Sequence, residues 1–147
     1  MHLAAFNTAR SLADRDDPIM AEFFANVDRM NSLAERMPGF VWRNKDEGNF
    51  SQGLAADPLI LSTLSVWEDA QSLHRYVFNT IHRQFWARRH EWFELFDGPY
   101  LVFWNIEPGT KPEMSEGFEK LDLLAKRGPS DEAFNWEYLK EDLPKTA

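Results

Sequence analysis

The sequence predicts an α+β fold of the ferredoxin-like plan, an antiparallel sheet with its helices on one face. Three observations lead there. Short apolar, strand-like runs and stretches with the 3.6-residue repeat of helices follow one another in the order strand, helix, strand, strand, helix, strand. The strands carry apolar residues on both faces, so the sheet needs cover on both sides. At 147 residues, with no repeat, low-complexity tract or dividing linker, the chain reads as one domain.

Leu3 to Ala9 reads as the first strand. Asp16-Asp17-Pro18 has the form of a helix start with proline at the first helical position. From Ile19 to Arg36, Ile19, Phe23, Val27, Met30 and Ala34 recur at helical spacing, and Met37-Pro38-Gly39 ends that helix. Phe40 to Lys45 is a second strand, Asp46 to Asp57 a turn or loop, and Leu59 to Val66 a third strand. Ser65-Val66-Trp67-Glu68 has the spacing of a capping box, which predicts a helix from there to about Phe78. A break near Asn79-Thr80 separates it from His82 to Phe96, read as one helix. Asp97-Gly98-Pro99 then turns the chain into a strand, Tyr100 to Ile106. The core thus covers about residues 2–106. Residues 107–147 add a helix from Pro112 to about Arg127, stopped by Gly128-Pro129, and a last extended piece, Ala133 to Tyr138.

In the last core strand Tyr100, Val102, Trp104 and Ile106 share one face, and Leu101, Phe103 and Asn105 the other. A sheet with one wet face alternates apolar and polar more cleanly. The helices of this plan cover one face, so a second sheet from another copy of the chain is the simplest cover for the other, and a homodimer is expected.

Composition narrows the function classes. The chain is 44% hydrophobic and holds 6 Trp, 3 Tyr and 12 Phe, an aromatic load that favours a pocket for a flat ligand or a large interface. A net charge of −8 argues against nucleic acid or an anionic membrane as partner. The absence of cysteine removes disulfides, thiolate nucleophiles, iron–sulfur clusters and Cys-type zinc sites. No His pair has i, i+4 spacing, so no protein-ligated zinc site is expected, and neither a Gly-rich phosphate loop nor a serine nucleophile elbow occurs. The N-terminus lacks a cationic leader and no run approaches a membrane span, which predicts a soluble cytoplasmic protein.

The stretch from His82 to Phe96 carries the best functional candidates. On one helix, Phe85, Trp86, Trp92 and Phe93 share a broad aromatic face. His82 and Arg89, seven apart, fall in the middle of it, two turns from each other. Buried polar groups need partners. His82 is a candidate general base or axial haem ligand, or else a core histidine bonded to a backbone carbonyl or a carboxylate. Arg89 is a candidate partner for a substrate carboxylate, a haem propionate or an oxyanion, or else a structural ion pair of Glu35, Asp28 or another acid. Arg88 belongs at the rim, and His74 and His90 on the surface. Trp42 and Trp104, expected on neighbouring strands, either wall a pocket with Phe85 and Trp86 or fill the core. Asn26 and Asn31 edge the apolar face of the first helix and could hydrogen-bond a ligand or a strand end.

The string Asn7…Asp17-Pro18…Phe23…Asn31-Ser32-Leu33-Ala34-Glu35…Pro38-Gly39-Phe40-Val41-Trp42-Arg43 resembles the start of the DUF3291 family. Leu64-Ser65-Val66-Trp67-Glu68, His82, Arg88-Arg89-His90-Glu91-Trp92-Phe93, Gly109 with Pro112, and Gly128-Pro129-Ser130-Asp131-Glu132-Ala133-Phe134 continue the resemblance in order. It implies a dimeric α+β barrel, the fold of the antibiotic-biosynthesis monooxygenases, shared by haem proteins such as chlorite dismutases and aldoxime dehydratases. It implies no reaction, because one fold hosts many functions. The chain departs from the family pattern at Asn105, where a second tryptophan often follows Trp104, and at Thr110, where histidine is common. Three functions are open on this reading. One is an oxidoreductase of monooxygenase type, cofactor-free or haem-dependent, acting on an apolar or aromatic molecule. The others are a non-catalytic binding or carrier protein and a purely structural dimer.

Overall fold

The computed structural model describes residues 1–45, 57, 59–94 and 98–140. Its elements are β1 (His2–Arg10), α1 (Ala21–Arg36), β2 (Phe40–Arg43), β3 (Ile60–Trp67), α2 (Ala70–Asn79), α3 (His82–Ala87), β4 (Leu101–Ile106), α4 (Met114–Arg127) and α5 (Trp136–Leu139). The four strands form one antiparallel sheet in the order β2-β3-β1-β4, the ferredoxin-like arrangement. The expected loop from Asp46 lies outside the described residues up to position 56.

Local chemistry explains most boundaries. Asp17 accepts a hydrogen bond from the Ile19 N–H at 3.0 Å and Pro18 follows it, opening a 3₁₀ turn (Pro18–Met20) that leads into α1. Between α1 and β2, Gly39 holds φ +89°, and a Cβ there would lie 2.0 Å from the Ser72 hydroxyl, so the turn requires glycine twice over. The capping box expected at Ser65 does not form. Ser65 to Trp67 extend β3 instead, paired with Ala5, Ala4 and Leu3 of β1, because the ladder offers hydrogen bonds on both sides. The cap of α2 is Asp69, whose carboxylate accepts from the Ser72 N–H at 2.8 Å.

The helix expected from His82 to Phe96 is also broken. α3 ends at Ala87, Arg88 leaves the helical region (φ −97°, ψ 8°), and a 3₁₀ turn spans Arg89–Glu91. The competitor is the end of β1: Phe93 bridges Ser11, the Leu12 N–H donates to the Trp92 carbonyl at 2.9 Å, and the Glu94 N–H donates to the Arg10 carbonyl at 2.9 Å.

One sheet face, with Leu3, Ala5, Trp67 and Phe103, packs against Ala34 of α1, Leu73 and Tyr76 of α2, and Phe134. The other, with Ala4, Phe6, Leu64, Val66, Val102 and Trp104, packs against Met114, Phe118, Leu121 and Leu124 of α4. This corrects the expectation that another copy of the chain covers the second face. The C-terminal helix of the same chain does so, with Gly117 set directly on the Phe6 ring. A second copy would have to meet this chain elsewhere. The expected extended piece from Ala133 is short. Phe134 bridges Phe103, then Asn135 caps α5 by accepting from the Tyr138 N–H at 3.0 Å. No helix among the described residues is long and apolar enough to cross a membrane.

Candidate functional site

On the face away from α4, the sheet and the helices α1 to α3 enclose a cavity of about 390 Å³. Its floor is small and partly polar: Ala5, Asn7, Thr63 and Ser65. α1 contributes Phe23, Val27, Met30 and Asn31, and α2 contributes Tyr76 and Val77. The far wall is the broken segment, with His82, Phe85, Trp86, Arg89, Trp92 and Phe93. Its volume lies within the range of sites for drug-sized molecules.

His82 owes its position to the break between α2 and α3. Thr80 donates its hydroxyl to the Tyr76 carbonyl at 2.6 Å and accepts the His82 N–H at 3.2 Å. The imidazole packs on the Tyr76 ring at 4.9 Å, and its Nδ1 lies 3.3 Å from the Val77 carbonyl oxygen. A carbonyl can only accept, so the proton sits on Nδ1 and Nε2 carries the lone pair. Burial holds the pKa below the ordinary 6.5, and the bond to Val77 offsets only part of that effect. His82 is therefore neutral at pH 7. The carbonyl-bonded core histidine and the general base, weighed as alternatives from sequence, prove to be compatible: one nitrogen is spent on the backbone and the other is not.

Arg89 lies over the Trp86 ring, its guanidinium carbon 3.9 Å from the centroid, and donates Nη1–H to the Trp86 carbonyl at 2.9 Å. It forms no salt bridge with a described residue. Glu35, one partner suggested from sequence, pairs with Arg43 at 3.5 Å and Lys45 at 3.3 Å. Arg88 is the ion-paired member instead. It grips both carboxylate oxygens of Glu22 at 2.7 Å and both of Glu91 at 2.8 and 2.9 Å, with its guanidinium over the Trp92 ring. Those bonds hold the Glu22 and Glu91 carboxyls below the usual carboxylate range. Arg88 thereby ties the start of α1 to the far wall.

Phe85, Trp86 and Asn31 line the cavity with His82 and Arg89. Trp42 and Trp104 do not. β2 and β4 are opposite edges of the sheet rather than neighbours, and both indoles pack with the α4 face. Trp104 pairs with Ala4 in register, which sets it on that face, and its Nε1–H donates to Glu116 at 3.0 Å. His74, expected on the surface, is only 7% exposed, between the Phe78 and Trp136 rings, and burial lowers its pKa. The return of α5 over α2 buries it. His90 is exposed as expected. Asn105 and Thr110, where the chain departs from the family pattern, are both exposed and outside the cavity.

The floor pair Asn7 and Thr63 was not singled out from sequence. Thr63 donates its hydroxyl to Asn7 Oδ1, which leaves both Asn7 amide hydrogens uncommitted among the described residues. Its signal was present: Asn7 stands between Ala5 and Ala9 on an inward face otherwise built of apolar residues. Asn31 likewise has no partner among the described residues.

A family model described as Domain of unknown function (DUF3291) matches residues 2–145. The chain belongs to this family. No curated protein matches it. Among solved structures, SnoaB, a cofactor-independent oxygenase from Streptomyces nogalater, shares the fold at 15% identity and a TM-score of 0.53, over 76% of this chain and 98% of that one. A conserved protein from Methanosarcina mazei is similar at 14% identity and 0.55, over 73% and 94%. A candidate antibiotic biosynthesis monooxygenase from Nitrosomonas europaea is similar at 17% and 0.51, over 75% and 94%. These likenesses establish a ferredoxin-like fold of the antibiotic-biosynthesis-monooxygenase kind. They cover nearly all of the other chains and about three quarters of this one.

Among the described residues no cluster of three or more His, Asp or Glu could hold a metal ion. A haem asks for something different, a nitrogen lone pair on a ring fixed through its other nitrogen, and a cation for a propionate. His82 and Arg89 fit those two demands.

Proposed function

We propose that the protein binds a small, flat, electron-rich molecule in the cavity between sheet and helices and oxygenates it without a cofactor. The observation that carries this reading is the contact of His82 Nδ1 with the Val77 carbonyl at 3.3 Å on the wall of an aromatic cavity, an arrangement that leaves Nε2 as the lone-pair nitrogen. SnoaB, similar in fold, is a cofactor-independent oxygenase, which favours the same chemical class.

His82 takes a proton from an activated C–H or O–H of the substrate, leaving a delocalised anion. Asn7 and Asn31 supply amide hydrogens for the oxygen on which that charge accumulates. The anion gives one electron to O₂, the two radicals join as a peroxide, and loss of water leaves a carbonyl. For a methylene the balance is R₂CH₂ + O₂ → R₂C=O + H₂O. Carbon supplies all four electrons, so no external reductant is needed. The aromatic walls exclude water and hold the ring against His82.

Oxygen uptake with anthrone and 1,4-naphthohydroquinone tests this directly. His82→Ala should lower the rate by about 10²-fold or more, the range for a positioned base, while fluorescence titration shows the probes still bound. Uptake unchanged in His82→Ala would sink the proposal. Tight binding with no uptake in the wild type would leave a carrier in place of an enzyme.

A second reading is favoured by the same Nδ1–H bond to Val77, which suits a haem ligand equally well. His82 would hold the iron and Arg89 a propionate, and the haem when bound would supply the redox chemistry. A Soret band on haem addition, lost in His82→Ala, would support it, and the absence of a band in the wild type would remove it.

A further inference from the structure

We propose that Arg89, laid on Trp86 at the mouth of the cavity, reads an anionic group, and that the molecule taken up is a flat aromatic carboxylate. The inference rests on the cavity being the ligand site and names the class of its ligand.

The charge pattern of the wall leads there. Arg43 and Arg89 line the cavity, Arg10 and Arg88 stand behind its wall against Glu94 and Trp92, and all of these but Arg89 are ion-paired among the described residues. Arg10 is bound to Asp57 and Glu94, each at 2.8 Å; Arg43 to Glu35; and Arg88 to Glu22 and Glu91. Glu94, the one carboxylate among the described residues of the cavity lining, is thus already committed to Arg10. Arg89 alone among the four makes no salt bridge with a described residue, in a chain of net charge −8 that offers many acids. It is also prearranged. One N–H is spent on the Trp86 carbonyl, and stacking at 3.9 Å sets the plane of the guanidinium, so the remaining donors form a fork that loses little freedom on binding. A planar fork matches a carboxylate through two parallel bonds.

Position then orients the ligand. Trp86 is 37% exposed while lining the cavity, which puts the Arg89–Trp86 pair at its mouth. His82 lies deeper, against Tyr76. A ring enters toward His82, with its carboxylate held at the entrance beside solvent, where its desolvation cost is small.

The test is calorimetric titration at pH 7 with two probes of the same ring, 1-naphthoate and 1-naphthol. Wild type should bind the naphthoate about 10- to 100-fold tighter at low salt, the usual worth of a charge-assisted pair, with the preference shrinking at high salt. Arg89→Gln should bring the ratio to near one, mainly through loss of naphthoate affinity, with an unchanged melting temperature as the sign of an intact fold. Arg89→Lys should keep part of the preference, since the charge remains and the fork is lost. Equal binding of the two probes by wild type, or a preference that survives in Arg89→Gln, would overturn the subsite while leaving the cavity. Failure of wild type to bind either probe would overturn the cavity reading, and the subsite with it.

Discussion

Replacing Gly117 by alanine is the sharpest test of how the second sheet face is covered. In the interior of an exposed helix the change should stabilise by about 1 kcal/mol. Here the new Cβ would lie 2.3 Å from Phe6 Cδ1, 2.5 Å from Cγ and 2.8 Å from Cε1, where carbon atoms ordinarily keep about 3.5–4.0 Å. The ring cannot yield cheaply. Phe6 is fully buried, and the Phe118 ring packs edge-on against it at 4.9 Å. Overpacking of this kind costs about 1–3 kcal/mol and must also cancel the propensity gain, so a net loss of about 1–2 kcal/mol is expected. For a domain of this size that lowers the melting temperature by roughly 2–8 °C. Urea denaturation should show a lower midpoint with an unchanged slope. Phe6→Leu opens the space, so the double variant should recover stability, with a coupling energy of about 1 kcal/mol or more. A Gly117→Ala variant more stable than wild type would show that α4 does not sit on this face. Another copy of the chain would again be the candidate for covering it.

Three further perturbations probe the shell around the cavity. Tyr76→Phe removes the bond from the buried phenol to the Met30 carbonyl at 3.1 Å, which ties α2 to α1, and should cost about 1 kcal/mol in denaturant titration. Asp69→Ala removes the α2 cap and its bonds to the Ser72 N–H and hydroxyl, for a loss of about 0.5–2 kcal/mol that Asp69→Asn should largely restore. His74 and His82 both have folded pKa values lowered by burial from the ordinary 6.5. Below about that pH the unfolded chain binds protons that the folded one refuses, so their stability contribution is present in full above about 6.5. It is lost as the pH falls toward the lower folded values. Melting temperature should therefore drop between about pH 7 and pH 5, and His74→Gln and His82→Gln should each flatten the drop. The acid limb of kcat/KM should sit below 6.5 for the same reason, and a limb above that value would contradict the assigned environment of His82.

The core plan was legible because its signals are local. Asp17-Pro18 opened the first helical segment, Met37-Pro38-Gly39 closed α1, and β1, β3 and β4 overlap the short apolar runs read as strands. What the sequence hid depends on partners distant along the chain. Ser65 satisfies a capping pattern, yet the β1 ladder claims it through Ala5, and no local rule weighs a cap against a strand partner so far along the chain. Trp42 and Trp104 were misplaced by strand order, which alternation along single strands does not contain. His74 was misjudged because its cover, Trp136, comes from the far end of the chain. The second sheet face was matched to a foreign partner because the C-terminal helix was read without its apolar side, Met114, Phe118, Leu121 and Leu124, which packs on that face. The pair His82 and Arg89, by contrast, stood out as polar residues on an aromatic stripe, and both do line the cavity.

The break inside that stripe bears on why there is a cavity at all. An unbroken helix over residues 82–96 would run on the order of 20 Å, and its aromatic side would lie down along the sheet and fill the space beneath it. Two sets of contacts prevent this. Arg88 is held by Glu22 and Glu91 just beyond the end of α3, and Trp92 to Glu94 are drawn into backbone bonds with residues 10–12. Trp92 and Phe93 therefore turn toward Phe23, with ring centroids at 5.7 and 4.9 Å, and Phe85 stacks on Trp92 at 6.0 Å. The aromatic side chains pack against one another as a wall, and the small floor residues Ala5, Asn7, Thr63 and Ser65 are left facing open space. Large residues around the rim and small polar ones beneath are what a ligand cavity needs and what a packed core avoids. The backbone break, more than the number of aromatic residues, is thus the feature that turns this segment from core filler into the wall of a site.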